Sequence, residues 1–310
     1  MKKDVVELER LATEQLNPAS AGLDLKSSLE IARIINAEDA AVAGAVARVL
    51  PQIAVGIDWI RDALAGGGRL IYVGTGTSGR IAALDASECP PTFNVPPSTV
   101  QFVMAGGVRA LGRAVEADED SRELGVREIR KKKPGRKDVV IGIAASGRTP
   151  FTVAAVEYAR KAGAKTIALT CNPGSPLEKA AELAIVVETG PEVVSGSTRM
   201  KAGTAEKLVL NTLSTGAMVK LGYVYGNLMV NLHQKNTKLT ERAVTIVARS
   251  LETSRDKARE TLQRAGRDVP IAIVMAKAGV SRANAELCLK DSRGHVRRAI
   301  ALAASKKSKS

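Results

Sequence analysis

A chain of 310 residues, 45% hydrophobic but only 3% aromatic, suits one large domain with a smaller companion and cores built of Ala, Val, Ile and Leu. The formal charge of +14 favours an anionic partner, yet only Arg130–Lys133 and the Lys306–Lys309 tail are densely basic. So few aromatics, and no recognition motif, exclude nucleic acid as the expected partner; no apolar run is long enough to make a membrane one. Three scattered cysteines and a charged amphipathic start point to a soluble, cytoplasmic protein with reduced thiols.

Residues 1–28 are polar, with a loop signal at Asn17-Pro18-Ala19-Ser20. Apolar spacing predicts a helix over Ser28–Val49, and Pro51 opens a second that Gly66-Gly67-Gly68 ends. Strands then alternate with helices. Leu70–Val73, Val100–Met104, Asp138–Ile143, Thr166–Thr170 and Leu183–Val187 read as strands. Ser78–Ala86, Arg109–Lys132, Pro150–Ala162, Ser175–Ala181 and Thr198–Leu221 read as helices. Alternation with apolar strands predicts an α/β fold: a doubly wound, mostly parallel five-stranded sheet, preceded by N-terminal helices. After Lys238 only helical pattern remains, over 240–264, 268–278 and 281–304, the last interrupted at Asp291-Ser292-Arg293-Gly294. The expected division is residues 1–238, a helical bundle at 239–305 and a basic tail at 306–310.

Three loops and a few acids carry the chemistry. Gly74-Thr75-Gly76-Thr77-Ser78-Gly79 follows a strand and opens a helix, where backbone amides can hold an anion. Its G-x-G-x-x-G spacing also fits a dinucleotide site, but no acid ends the second strand to hold a ribose. The hydroxyls of Thr75, Thr77 and Ser78 suit phosphate or sugar oxygens better than a pyrophosphate that needs bare backbone. Ser146-Gly147-Arg148-Thr149 repeats the device before Pro150, which fits a first helical turn. Ser195–Thr204 clusters hydroxyls and cations at the start of another long helix, with Ser197, Thr198 and Lys201 as candidate ligand contacts. Ligands of such sheets sit at the C-terminal strand ends.

Among the carboxylates, Glu88 lies beside the first loop and before Pro90-Pro91, while Glu116 and Glu119 are spaced to share a face of the predicted Arg109–Lys132 helix. Two carboxyl groups flanking one sugar can act as general acid and base. His233 and His295 lack ligand-spaced partners, so no metal is expected. Cys89, with no histidine near it in sequence, reads as a small buried residue, and Tyr223 and Tyr225 as packing residues.

The glycine-rich loop, Ser146–Thr149 and the α/β order resemble a sugar isomerase (SIS) domain, a flavodoxin-like fold that binds phosphosugars. Longer blocks are more specific. GTGTSGRIAALDASECPPTF, AVEADED at 114–120, IAASGRTP, CNPGSP, GSTRMKAGTAEKLVLNTLSTGAM and YGNLMVNL, with the early LNPAS, resemble the N-acetylmuramic acid 6-phosphate etherases. The segment Gly294–Ile300 is similar to the small ubiquitin-associated-like bundle at the end of that family. The resemblance implies cleavage of the D-lactyl ether of N-acetylmuramate 6-phosphate, a homodimer with sites near the subunit interface, and no cofactor. It places the family's two catalytic glutamates on Glu88 and Glu119, with Glu88 as the acid at the lactate oxygen and Glu119 as the base at C2. Glu116, one turn away, is the rival base. A phosphosugar isomerase and a phosphosugar-sensing regulator, like glucokinase regulatory protein, are the alternatives.

Overall fold

Five apolar runs become one parallel sheet, in a computed structural model that describes residues 11–113, 118–232 and 237–307. In chain order, three short 3-10 turns lead into α1 (Ser28–Ala47) and α2 (Leu50–Ala65). Then come β1 (Leu70–Gly74), α3 (Gly76–Phe93), β2 (Val100–Met104), a 3-10 turn at Gly107–Leu111 and α4 (Arg122–Lys131). The rest of the sheet region is β3 (Val139–Ile143), α5 (Pro150–Lys161), β4 (Lys165–Thr170), α6 (Pro176–Ala180), β5 (Leu183–Val186) and α7 (Lys201–Lys220). The strand order is β2-β1-β3-β4-β5, all parallel. This is the doubly wound sheet that the alternation predicts.

Register decides which side chains share a face. Tyr72, Ile141 and Ile167 are register partners, and all three are fully buried. On their face lies α2, whose Gly56 would bring an added methyl within 3.4 Å of Ile167 Cδ1. The next residues along, Val73 and Val140, face the other way and pack with Phe151, Ala155 and Ala159 of α5 and Ile129 of α4. Both faces are therefore covered, which is why the strands read as unbroken apolar runs. At the N-terminal edge Arg69 pairs with Asp138 at 2.8 Å, leaving the C-terminal edge for chemistry.

The chain divides into two compact units. One takes in the chain up to Ser87 and Pro97–Ser214; the other takes Glu88–Pro96 and the chain from Thr215. The second unit contains a two-stranded antiparallel hairpin, β6 (Val224–Tyr225) with β7 (Leu228–Met229), then α8 (Thr237–Leu251), α9 (Arg255–Arg264), α10 (Val269–Ala278), α11 (Arg282–Asp291) and α12 (Val296–Lys307). Val244, Val247, Leu262, Ile273, Val274 and Ala299 are among its core residues. Ser254, Asp268 and Ser281 cap three of these helices with side-chain acceptors. Tyr223 packs edge-on against Phe93, with ring centroids 6.4 Å apart, and Tyr225 lies under the Arg297 guanidinium. All three cysteines are buried.

Two helices predicted from spacing are broken in the structure. The expected Arg109–Lys132 helix gives way to the 3-10 turn and a helix that starts only at Arg122, where Ser121 Oγ accepts from Leu124 N at 3.1 Å. Left-handed Gly106 and Gly107 leave the strand in a turn, and the Ser121 cap restarts the helix thirteen residues after the expected Arg109 start. Glu119 therefore sits in a turn, and its expected sharing of a helix face with Glu116 lapses. Likewise 240–264 is two helices, parted at left-handed Glu252 and capped again by Ser254. Glu116, His233 and the end of the lysine tail lie outside the described residues.

Candidate active site

In this strand order β1 and β3 are neighbours, with β2 on one side of the pair and β4 on the other. The cleft beyond their C-terminal ends is the topological switch point, where ligands of open α/β sheets bind. The first predicted loop lies there. It leaves β1, passes through left-handed Gly76 (φ +50°) and enters α3, with Gly79 N donating to Thr75 O at 2.9 Å. Thr75 and Ser78 are buried and Thr77 is half-buried. The amide-rich helix start carries the positive end of the helix dipole, suited to an anion.

The second loop lies at the end of β3. Gly147 is left-handed (φ +66°), and an added methyl would come within 2.3 Å of Ser175 Oγ and 2.6 Å of Thr170 Oγ1. Only glycine fits this turn. Ser146 Oγ accepts from Arg148 N at 3.2 Å. Thr149 is the N-cap of α5 but does not cap it with its side chain, and Pro150 takes the first helical position. Ser146, Arg148 and Thr149 are all half-buried.

The third block joins the first through close packing. A methyl added at Gly203 of α7 would lie 3.4 Å from Thr77 Cγ2 and Ile81 Cδ1 of α3. The Thr198 carbonyl accepts from Gly203 N at 3.1 Å, and Ser197 and Thr198 are half-buried in the turn before α7. Lys201 is placed differently from the expected ligand contact. Its Nζ is buried in an ion pair with Glu38 Oε2 at 2.6 Å and donates to Pro191 O at 3.1 Å. Asn17 of the LNPAS block donates to the same two acceptors. The bond to Lys201 holds the Glu38 carboxyl below the usual range. This cluster ties the N-terminal segment to the start of α7.

Glu119 completes the group of candidate residues within the first unit. Its carbonyl accepts from Phe151 N at 3.1 Å, in the first turn of α5. Its Oε1 would lie 3.3 Å from a methyl on Gly76. The carboxyl group thus stands over the glycine-rich loop while its backbone is fixed to the helix that follows the Ser146 loop. Glu88 is on α3 at the start of the Glu88–Pro96 segment, which belongs to the second unit, and its side chain is exposed.

Sequence reasoning missed two buried acids on helices, Glu206 and Asp85, and a third, Glu192, ahead of α7. Glu206 on α7 is 1% exposed, and Ser78 Oγ donates to its Oε1 at 2.8 Å. Burial, with Glu192 nearby, pushes its pKa up to about 8 against the lowering effect of the Ser78 bond. Glu192 itself accepts from Lys201 N at 2.9 Å and Ala202 N at 3.0 Å, satisfying the start of α7. Asp85 on α3 accepts from Tyr72 Oη at 2.7 Å, Asn211 Nδ2 at 2.6 Å and Ser214 Oγ at 3.0 Å. Burial raises its pKa while those three bonds work against the rise. Both acids fall on the apolar stripe of their helices, Ala202-Ala205-Val209 and Ala82-Ala86-Cys89. A carboxylate on such a stripe is a signal that was available in the sequence.

Two family models match the sheet region: the glucokinase regulatory protein N-terminal SIS domain over residues 52–160 and the SIS domain over residues 133–215. An N-acetylmuramic acid 6-phosphate etherase of Escherichia coli O1:K1 is 50% identical over 295 residues, covering 95% of this chain and 99% of the relative. The chain belongs to the N-acetylmuramic acid 6-phosphate etherase family. Another etherase of that name, from Edwardsiella ictaluri, is 49% identical across 94% of this chain and 98% of its own. Among solved structures, a phosphoheptose isomerase from Francisella tularensis is similar in fold, with TM-score 0.51 and 20% identity over 63% of this chain and all (100%) of that one.

In a member of the etherase family, this geometry has a chemical reading. Two amide-lined turns with hydroxyls can hold a phosphate, and one carboxyl group stands over the first of them. Among the described residues no cluster of His, Cys, Asp or Glu could hold a metal ion, and no single helix is long and apolar enough to cross a membrane.

Proposed function

We propose that this chain cleaves the D-lactyl ether of N-acetylmuramate 6-phosphate, giving N-acetylglucosamine 6-phosphate and D-lactate. Thr75, Thr77, Ser78, Ser146, Gly147, Arg148 and Thr149 hold the phosphosugar, with Ser197 and Thr198 at the rim. The observation that supports the site assignment is Glu119 Oε1 beside Gly76, in the turn assigned here to the phosphate. Family membership supplies the reaction, and Glu119 is the described carboxylate best placed to serve it.

An ether oxygen at C3 is a poor leaving group. With the sugar open as the aldehyde, the C2 proton is acidified by the carbonyl. Glu119 removes that proton. Electrons shift to form the C2–C3 double bond, and the C3–O bond breaks as Glu88 protonates the departing lactate oxygen. Glu88 then takes a proton from water, whose oxygen adds at C3, and C2 is reprotonated. Atoms and charge balance with no redox partner. Glu88 takes its role from the family resemblance. The exposed apolar side chains of Leu25, Leu29, Leu50 and Val55 support the homodimer that the family resemblance implies.

Turnover in heavy water separates the roles. Glu88→Gln is expected to exchange deuterium into C2 without releasing lactate, and Glu119→Gln to do neither. Lactate release by Glu88→Gln at the parent rate, or exchange retained by Glu119→Gln, overturns the assignment.

A further inference from the structure

The Ser78–Glu206 pair is unusual for a ligand-binding loop. Ser78 is offered above as a phosphate contact, yet its one hydroxyl hydrogen is spent on a buried acid 2.8 Å away. Glu206 Oε2 is buried with no hydrogen-bond partner among the described residues. A charged carboxylate with a bare oxygen in the interior is costly, whereas a neutral acid needs far less from its surroundings. The charged group that acts on it is another acid. Glu192 stands near with the same charge. Cys171 at the end of β4 is buried, and its thiol is pushed upward by burial and by both acids. Glu192 is compensated by the two amides at the start of α7; Glu206 has no such support.

A 2.8 Å oxygen–oxygen separation serves a bond in either direction. If Glu206 carries the proton, its O–H can donate to Ser78 Oγ. The serine hydrogen is then available to a second acceptor. If Glu206 is ionised it can only accept, Ser78 must donate to it, and a negative charge lies behind the loop that would hold a phosphate dianion. We propose that Glu206 is a positioning residue for phosphosugar binding, releasing the Ser78 hydroxyl hydrogen to the bound phosphate when protonated and reclaiming it when ionised. This rests on the phosphosugar reading of the loop. Glu206 touches no substrate atom and acts through Ser78.

The consequence is that binding takes up a proton on the alkaline side of neutrality. With half-ionisation near the pH of about 8 at which Glu206 titrates, affinity falls about tenfold between pH 7 and pH 9. The phosphate second ionisation, near pH 6, is already about nine-tenths complete at pH 7 and adds little to that change. The Glu206→Gln variant has a fixed amide donor for Ser78 Oγ and cannot titrate.

The test is calorimetric titration of the full chain with N-acetylglucosamine 6-phosphate at pH 7, 8 and 9, in buffers of differing ionisation enthalpy. Uncharged N-acetylglucosamine serves as control. The parent is expected to take up roughly half a proton per ligand at pH 8, from half-ionisation there, and to lose about tenfold in affinity from pH 7 to 9. Glu206→Gln is expected to take up none and to hold its affinity across the range. Ser78→Ala binds more weakly at pH 7 and loses the pH dependence. The same proton uptake in Glu206→Gln as in the parent, or none in the parent, overturns the proposal. Lactate release by the parent from N-acetylmuramate 6-phosphate is measured alongside. Turnover with pH-independent binding overturns only the role of Glu206, whereas no binding and no turnover at any pH overturns the phosphosugar reading with it.

Discussion

Replacing Gly76 by alanine tests whether Glu119 stands where the chemistry needs it. The substitution has two separable effects. Gly76 is left-handed at φ +50°, so any side chain there costs about 1–2 kcal/mol. The new methyl would also lie 3.3 Å from Glu119 Oε1, so the carboxylate must move by a few tenths of an ångström. The contact is with the far end of a side chain rather than with backbone, and a reacting group cannot move without effect. If 1 Å of misplacement costs roughly a hundredfold, a few tenths cost roughly fivefold in kcat. Gly22 provides the control, being left-handed at φ +64° with nothing within 4 Å of an added methyl. Each 1 kcal/mol is about 2–4 °C in Tm for a domain this size, so both variants should lose a similar few degrees. Scanning calorimetry and lactate release read the two effects. Gly22→Ala is expected to keep its kcat, and Gly76→Ala to lose it about fivefold. If Gly76→Ala raises KM and leaves kcat untouched, the methyl merely obstructs the ligand and Glu119 is not the reacting group.

Glu206 sets a pH dependence of stability. Its folded pKa of about 8 lies above the 4.5 of an ordinary glutamate, so the folded state holds the proton more tightly. The stability linked to that proton is complete below pH 4.5 and is lost as pH climbs to about 8, reaching on the order of 3 kcal/mol by pH 7. Glu206→Gln does not titrate, so its Tm should gain on the parent between pH 5 and 8; parallel Tm curves would contradict the buried-acid assignment. Gly147→Ala must strain a left-handed turn and overlap Ser175 and Thr170, so a loss of at least about 2 kcal/mol in denaturant unfolding is expected. A variant as stable as the parent would mean that this turn is not held as described.

Much of the fold is legible in the sequence because buried parallel strands advertise themselves as unbroken apolar runs, and VVIGI at 139–143 is buried throughout. The helix over 109–132 was misread because its charged residues recur at helical spacing, while the Ser121 cap that restarts the chain is a single local bond. The hairpin at Val224–Met229 was missed because each strand is two residues long, too short for any alternation to show. At the site, the strand-to-helix turns were legible, since small residues mark where a strand hands over to a helix. Partnerships across long sequence distances were not. Lys201 was expected at the ligand but is taken by Glu38, 163 residues away, and Ser78 meets Glu206 across 128 residues. Nothing local distinguishes a lysine that binds phosphate from one that ties two segments together. A carboxylate on an apolar helix stripe is the exception, because burial of such a group needs an explanation from the outset.

The central claim is that this chain breaks an ether at C3 of a phosphosugar. The most direct measurement is incubation of the purified protein with N-acetylmuramate 6-phosphate in ¹⁸O-labelled water, followed by mass spectrometry of both products. The account predicts D-lactate without label, because its oxygen leaves with it when the C3–O bond breaks, and N-acetylglucosamine 6-phosphate with one ¹⁸O at C3. Labelled lactate, an isomerised sugar with its lactyl group intact, or no product at all would contradict it.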